Sequence, residues 1–396
     1  DLNAVSLVAP ALRAIAGRPT SDVELGMVAF SNEIADHVIE IKMPEPSANL
    51  ALAEAHLAEG VQRFSAVLRD EFGARLLPTG MHPWLDPRRA RIWTRSNSRI
   101  YQTYARLFDV QTHGWLNVQS THLNLPMGRG EEAVAMMNAA ALLIPYLPAL
   151  TASSPMHDGE LKESVDSRLA WILRHQARIP ESQGCIVPEY TSSIADYRRS
   201  ILTPMYQALD ELPDASAVRH EFFNARGAVF KFSRRAMEIR VLDTQECVKL
   251  DVAVAVFVRA VLRSLARSLT RRRAPLPPSP MLVRDFQATV LHGSQARVQA
   301  THLARGLPRD EEGLVPVRQV LQALLERARR SARRDEEGYL HLVERMIATG
   351  TLSERIRDVL LPAAADEERF TETARGIYIE LADSPDANAP WSGRGF

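Results

Sequence analysis

The 396-residue chain lacks a surplus of charge of either sign: lysine plus arginine equals aspartate plus glutamate, at 48 each. A dedicated nucleic-acid binder usually carries a basic excess, so this balance argues against one. Cysteine is nearly absent, with only Cys185 and Cys247. Two such residues make neither a disulfide framework nor a paired-cysteine zinc pattern, and they suit a reducing, cytoplasmic setting. No apolar run reaches the about 18 residues that a membrane span needs, so no membrane partner is expected. No basic stretch followed by an apolar core opens the sequence, so a secretory signal is not expected either. No unit recurs at a period of about 20–50 residues. What is present is 24% charged and 46% hydrophobic residues. That is the composition of an ordinary globular protein, long enough for one large domain or two to three smaller ones.

Hydrophobic periodicity divides the chain. The spacing predicts helices over 4–15, 49–72, 98–108, 131–147, 166–178, 192–209 and 250–269. It predicts strands over 37–43, 74–78, 116–125, 218–222, 228–232 and 235–243, with Asn224-Ala225-Arg226-Gly227 as a hairpin turn. These strands follow no βαβ rhythm, which favours an antiparallel or mixed sheet in an α+β fold. Arg271 to Pro280 (RRRAPLPPSP) then breaks the pattern with a basic run and four prolines, a linker signal. Everything after it reads as helical, over 281–293, 315–333, 336–350, 352–360 and 365–381.

The most informative stretch is Arg235 to Asp243. Alternation puts Glu238, Arg240 and Leu242 on one face and Met237, Ile239 and Val241 on the other. Buried charges need partners. A metal ion or a phosphate would satisfy both, which is a first sign of an enzyme handling ATP without a glycine-rich loop. Two more strands bear polar faces: Val38, Glu40 and Lys42 on one, and Val118, Ser120, His122 and Asn124 on the other. Glu40, His122 and Glu238 together form a candidate magnesium site. Each also has a plain structural reading. Glu40 with Lys42 reads equally as a surface pair worth under about 1 kcal/mol. His122 reads as a hydrogen-bonded structural histidine, and Glu238 with Arg240 as an internal ion pair. Asp166 is a candidate N-cap of the helix opened by Ser167 and Arg168. Such a terminus beside an arginine suits an oxyanion or phosphate, with an ordinary capped helix as the alternative. His82, in Met81-His82-Pro83-Trp84, is either a substrate-loop histidine or part of a plain turn. The mixed run 326–337 (ERARRSARRDEE) reads as a solvated helix face.

Six segments, in order, resemble the second glutamate–cysteine ligase family, the carboxylate–amine ligases of bacteria and plants. Val38-Ile39-Glu40-Ile41 resembles the family's single-glutamate strand, and Thr79-Gly80-Met81-His82-Pro83 its Gly-x-His-Pro loop. Thr121-His122-Leu123-Asn124 resembles its Gly-x-His-x-His strand, and Leu150 to Pro155 (LTASSP) its Leu-Ser-Ala-Asn-Ser-Pro turn. Ser167-Arg168 resembles its Ser-x-Arg element, and Glu238-Ile239-Arg240-Val241-Leu242-Asp243 its Glu-x-Arg-x-x-Asp strand. The likeness covers roughly residues 20 to 270. There are three departures. Residues 1–3 hold no Glu-x-Glu strand ahead of the 4–15 helix, Asn124 replaces the second histidine, and Lys162 to Asp166 (KESVD) replaces a Thr-Gly-rich stretch.

The resemblance implies a glutamine-synthetase-like fold, with a curved antiparallel sheet forming a funnel for ATP and Mg2+, with Mn2+ as the alternative ion. A carboxylate would be phosphorylated to an acyl phosphate, which an amine attacks to give an amide of γ-glutamyl type. On this expectation Glu40, His122 and Glu238 hold metal, and with Asn124 and Arg240 they hold the nucleotide. Arg240 and Arg168 are the catalytic clamps, and His82, Arg99, Lys162 and Arg168 bind substrate. The expected layout is a ligase-like domain over 1–270, a linker over 271–280 and a helical region over 281–396 packed on the first. The partners are a small amino acid or carboxylate and an amine, and a homo-oligomer is left open. Two other readings stay open on the same fold: a catalytically degenerate nucleotide- or amino-acid-binding regulator, and an amide hydrolase.

Overall fold

A computed structural model describes residues 2–96, 98–272, 275–303 and 306–393. The fold is α+β, with antiparallel strands throughout. Helix α1 (Val8–Ala16) leads into strands β1 (Asp22–Leu25), β2 (Val28–Asn32) and β3 (Ile39–Lys42), which form one three-stranded sheet in that order. Helix α2 (Leu50–Phe72) packs behind this sheet. The Asn49 carboxamide oxygen starts it by accepting from the Leu52 amide at 3.1 Å, and Gly73 ends it at φ 61°. Helix α3 (Ser98–Leu107) precedes strand β4 (Ser120–Pro126), and helix α4 (Glu131–Leu143) and helix α5 (Ser167–His175) follow. Strands β5 (Ala228–Lys231) and β6 (Ala236–Asp243) complete a second three-stranded sheet, with β6 central between β4 and β5.

The long helix α6 (Val248–Arg272) lies against α4, and six further α-helices follow among the described residues, over 279–292, 317–329, 337–349, 352–360, 367–381 and 384–387. One apolar cluster runs from Leu107 to Ile347, so it draws on both sides of the 271–280 segment. Within that segment, α6 extends to Arg272 and the next helix opens at Ser279, while residues 273 and 274 lie outside the described residues. Among the described residues no helix is long and apolar enough to cross a membrane.

Four expectations need correction. Residues 74–78 pair with no strand among the described residues, since Pro78 has no amide to donate and the chain turns into the Gly80 loop. Residues 218–222 form tight 3-10 turns instead of a strand. The buried Glu221 carboxylate holds them locally by accepting from the Ser233 amide at 3.0 Å and hydroxyl at 2.8 Å. With no strand there, 224–227 is not the hairpin turn expected between 218–222 and 228–232; the hairpin turn lies at 232–235, between β5 and β6, with Arg235 at φ 52°. The β1–β2 hairpin was not expected at all, because each strand is too short to show a period.

The fourth correction concerns which residues share a face. Strand β4 pairs Asn124 with Glu238 and Leu123 with Ile239, but then Thr121 with Leu242 and Ser120 with Asp243. Two residues of β6, Arg240 and Val241, stand opposite the single His122. This is a β-bulge. Because paired residues point the same way, Asp243, and not Leu242, joins Glu238 on the face of Ser120, His122 and Asn124. Leu242 turns into the apolar core.

Candidate active site

The polar face of the second sheet begins with Glu238, which is 1% exposed. Its Oε1 accepts from Arg240 Nε at 2.7 Å, and its Oε2 accepts from Lys231 Nζ on β5. Burial alone would raise this carboxyl, but Arg240, His122 and Lys231 outweigh it and hold it at about 2. Arg240 also donates from Nη1 to the Asn224 carbonyl at 2.8 Å. His122 presents accessible surface yet is hemmed in by protein, as a group on the floor of an open hollow is. Desolvation pushes its pKa down to about 4, so the ring is neutral at pH 7. Its Nε2 lies 2.9 Å from the Ser120 hydroxyl.

The first sheet lies within electrostatic reach of this face, Glu40 sensing His122 and Glu33 sensing Arg240. Glu40 accepts from the Ser31 hydroxyl and from Lys42 Nζ, both at 2.6 Å, and its charge is felt at His122. Glu33 follows β2 and answers to both sheets. Burial and the Glu40 charge raise its carboxyl to about 7, against the pull of the Ile34 amide, Lys42 and Arg240. Helix α3 closes one side with Tyr101, whose hydroxyl accepts from Asn32 at 3.2 Å, and Tyr104, which lies within the field of Arg240.

Arg168 forms the next layer down. It is 1% exposed, and its Nε pairs with Asp243 in a fully buried ion pair. Asp243 also accepts from the Ser153 amide at 2.7 Å and the Ser154 hydroxyl at 2.8 Å. A Cβ added at Gly80 would lie 2.4 Å from the Asp243 carboxylate, so only glycine lets the 79–84 loop close over this pair. Arg168 Nη2 is buried without a hydrogen-bond partner, and the arginine's charge reaches His122. Asp166 caps α5 as expected, accepting from the Leu169 amide at 2.8 Å.

Of the residues singled out in the sequence, Glu40, His122, Asn124, Glu238 and Arg240 thus converge on one hollow, with Arg168 beneath. Three do not join them. His82 is buried beside His37, with its Nδ1 accepting from the Trp84 amide at 3.1 Å. Arg99 is exposed on the first turn of α3, and its side chain has no hydrogen bond or ion pair among the described residues. Lys162 pairs with Glu160 at 2.8 Å and with Asp158 at 3.7 Å on a short hairpin. Sequence reasoning missed Glu33, Lys231 and Asp243. Pairing β5 with β6 would have found Lys231, but Glu33 sits on a loop, where no period applies.

One further cluster has ligand-like spacing. His113 Nε2 lies 2.9 Å and His157 Nδ1 2.7 Å from the two Asp158 oxygens. Its outer partners decide against a metal. Trp171 donates to His157 Nε2 at 3.0 Å. Asn117, whose oxygen accepts from the His82 amide, donates to His113 Nδ1 at 3.0 Å. Each ring therefore spends its lone pair on an obligate donor and carries its proton toward Asp158, leaving nothing for an ion.

The Glu33 carboxyl gives a pH test in the absence of divalent cations. Its folded value of about 7 lies above the ordinary 4.5. The folded state then keeps a proton that the unfolded state releases, so this group's contribution to stability falls as pH rises from 4.5 to about 7 and is flat above. His122, His37 and His82, each lowered to about 4, act oppositely between pH 4 and 6.5. The Glu33 contribution is therefore read as a difference from the parent. Glu33→Gln should gain urea resistance over the parent progressively between pH 5 and 7.5. A constant difference across that range would contradict the assignment.

Comparison with known proteins bears on this geometry. The glutamate–cysteine ligase family 2 model matches residues 3–376. A protein of uncharacterized function from Archaeoglobus fulgidus is 35% identical over 356 residues, covering 90% of this chain and 88% of its own length. The crystal structure of the glutamate–cysteine ligase of Francisella tularensis in complex with AMP superposes with a TM-score of 0.54. That match covers 91% of this chain and 86% of the other at 12% identity, a likeness of fold. With the family matched over nearly its whole length, the chain belongs to glutamate–cysteine ligase family 2, and it is a ligase of that type.

Proposed function

We propose that the protein is an ATP- and Mg2+-dependent carboxylate–amine ligase of the cytoplasm, joining a small carboxylic acid and an amine through an acyl phosphate. The observation that carries this reading is a division of charge across the hollow. On the first sheet Glu40 and Asp22 share one ammonium, Lys42, and Glu33 just past β2 is about half ionised at pH 7, which leaves negative charge in excess. On the second sheet Glu238 faces both Lys231 and Arg240, which leaves one positive charge in excess. A metal ion paired with a polyphosphate has the complementary shape of charge. The AMP bound to the Francisella ligase supports a nucleotide at this fold's site.

The donor set fits a divalent cation in one place and not in another. Glu33 is a carboxyl under-neutralised by its surroundings, beside a second carboxylate, and hard cations prefer such oxygens. Both Glu238 oxygens already hold cations, so Glu33 and Glu40 are the better metal ligands, with neutral His122 alongside. The ion, when bound, supplies charge neutralisation for phosphate oxygens.

The chain's own residues do the rest. Arg240 is fixed through Nε and Nη1, which leaves Nη2 without a protein partner among the described residues and able to hold a phosphate or carboxylate oxygen. Tyr101 and Tyr104 narrow the hollow. The stiff strand pair β4–β6 keeps these groups in position, which is most of what phosphoryl transfer asks of a protein. Calorimetric titration with Mg–ATP tests the binding half, and phosphate release across a panel of acids and amines tests the chemistry. Binding of Mg–ATP with amine-dependent release of ADP and phosphate is expected. A protein that binds no magnesium nucleotide would sink the proposal.

A further inference from the structure

Lysine is the rare cation in this chain, with Lys42, Lys162, Lys231 and Lys249 as four among 48 lysines and arginines. Two of the four stand on the carboxylates of the hollow. Lys42 Nζ donates to Glu40 Oε2 at 2.6 Å and to the Ser31 hydroxyl at 2.7 Å, and Lys231 Nζ donates to Glu238 Oε2. In a protein that uses arginine almost everywhere else, the choice has a chemical reading. A guanidinium is a broad planar fork fixed by several bonds at once. An ammonium is a compact point charge on a flexible stem, so it fits where a small metal ion fits and leaves without breaking a fork.

Both lysines have somewhere to go. The Lys42 side chain is 36% exposed and also lies 3.5 Å from the Asp22 carboxylate on β1, a second partner besides Glu40. The Lys231 side chain is 13% exposed and lies over the ring of Phe222 at 5.0 Å, a ring that is itself 36% exposed. Their partners differ in a way that separates two effects. At Glu40 the ammonium competes with an incoming cation for oxygen. At Glu238 it adds to Arg240 and over-neutralises a single carboxylate, an arrangement that only an arriving anion balances.

We propose, resting on the ligase reading above, that Lys42 and Lys231 are resident counter-ions. In the nucleotide-free protein Lys42 occupies a Glu40 oxygen open to a divalent cation, and Lys231 adds a second positive charge at Glu238 that repels a cation arriving nearby. Each then moves to phosphate oxygen when a metal–polyphosphate binds. The lysines thereby disfavour metal without nucleotide and favour the two together.

The consequence is a pair of effects with opposite sign, measurable without turnover. The full-length protein and its Lys42→Met and Lys231→Met variants are titrated with Mn2+ alone, followed by the resonance of free Mn2+. They are then titrated calorimetrically with a non-hydrolysable ATP analogue plus Mg2+. Lys249→Met, on α6, removes the same charge elsewhere. Removing one like charge from an ion's immediate surroundings is worth on the order of tenfold in affinity. Each hollow variant should bind Mn2+ alone about tenfold more tightly and the magnesium–analogue pair about tenfold more weakly, while Lys249→Met shifts neither. Lys→Gln replacements carry the same expectation if a methionine variant melts early. Both affinities falling together, or neither moving while the parent binds the analogue, would overturn the counter-ion role alone. A parent that binds no analogue overturns the ligase reading and this role with it.

Discussion

Asp243→Ala should cost about 3–5 kcal/mol of folding stability, seen as a large drop in the urea midpoint. The carboxylate is 0% exposed and gathers Arg168, the Ser153 amide and the Ser154 hydroxyl. Without it a guanidinium that is 1% exposed, and that already has one nitrogen unbonded, keeps only Asp166 nearby, a carboxyl that burial holds well above the usual range. An uncompensated buried charge is costly, whereas removing both partners often is not. The double variant Asp243→Ala/Arg168→Met should therefore lose clearly less than the sum of the single changes, and a double-mutant cycle reads that coupling directly. A single Asp243→Ala loss within about 1 kcal/mol, the ordinary size for a point change, would show that the pair is not buried as described.

Arg240→Met should lower the turnover number by about 10³-fold, in the range seen when a phosphate-stabilising arginine is removed, with little change in stability. Arg240 is only part-buried, and its two fixed bonds are to Glu238 and the Asn224 carbonyl. Arg240→Lys should do almost as badly, because one ammonium cannot hold Glu238 and Asn224 at their present separation and still reach substrate. The measurement is steady-state phosphate release with whichever acid and amine the panel identifies. Rescue to near-parent turnover by lysine would mean that Arg240 supplies charge alone and that its forked geometry is unimportant.

Much of this site was legible in the sequence because strands write their faces in alternation. Glu40, His122, Asn124, Glu238 and Arg240 all came from a period of two, on two sheets whose charges sense one another. What failed lay outside that rule. Glu33 sits on a loop and is tied to the hollow by burial and by the Glu40 charge, which are tertiary facts. Arg99 and Lys162 stay apart from the hollow, one exposed on the first turn of α3 and the other paired with Glu160 on a hairpin. Residues 218–222 had the composition of a strand. Their backbone instead follows the demand of one buried acid, Glu221, for nearby donors. The two-sheet layout was not readable, since β1 and β2 have four and five residues and no periodic signature at that length.

The extra residue in β6 gives the signature Glu-x-Arg-x-x-Asp its meaning. In a regular strand an odd interval of five would send the first and last acids to opposite sides. Here the irregular step between them brings both round to one side, the first toward ligand and the last down onto Arg168. The spacing is thus a written record of a backbone dislocation. Any relative that shortens it by one residue should have traded away the anchoring acid, the guanidinium beneath it, or both.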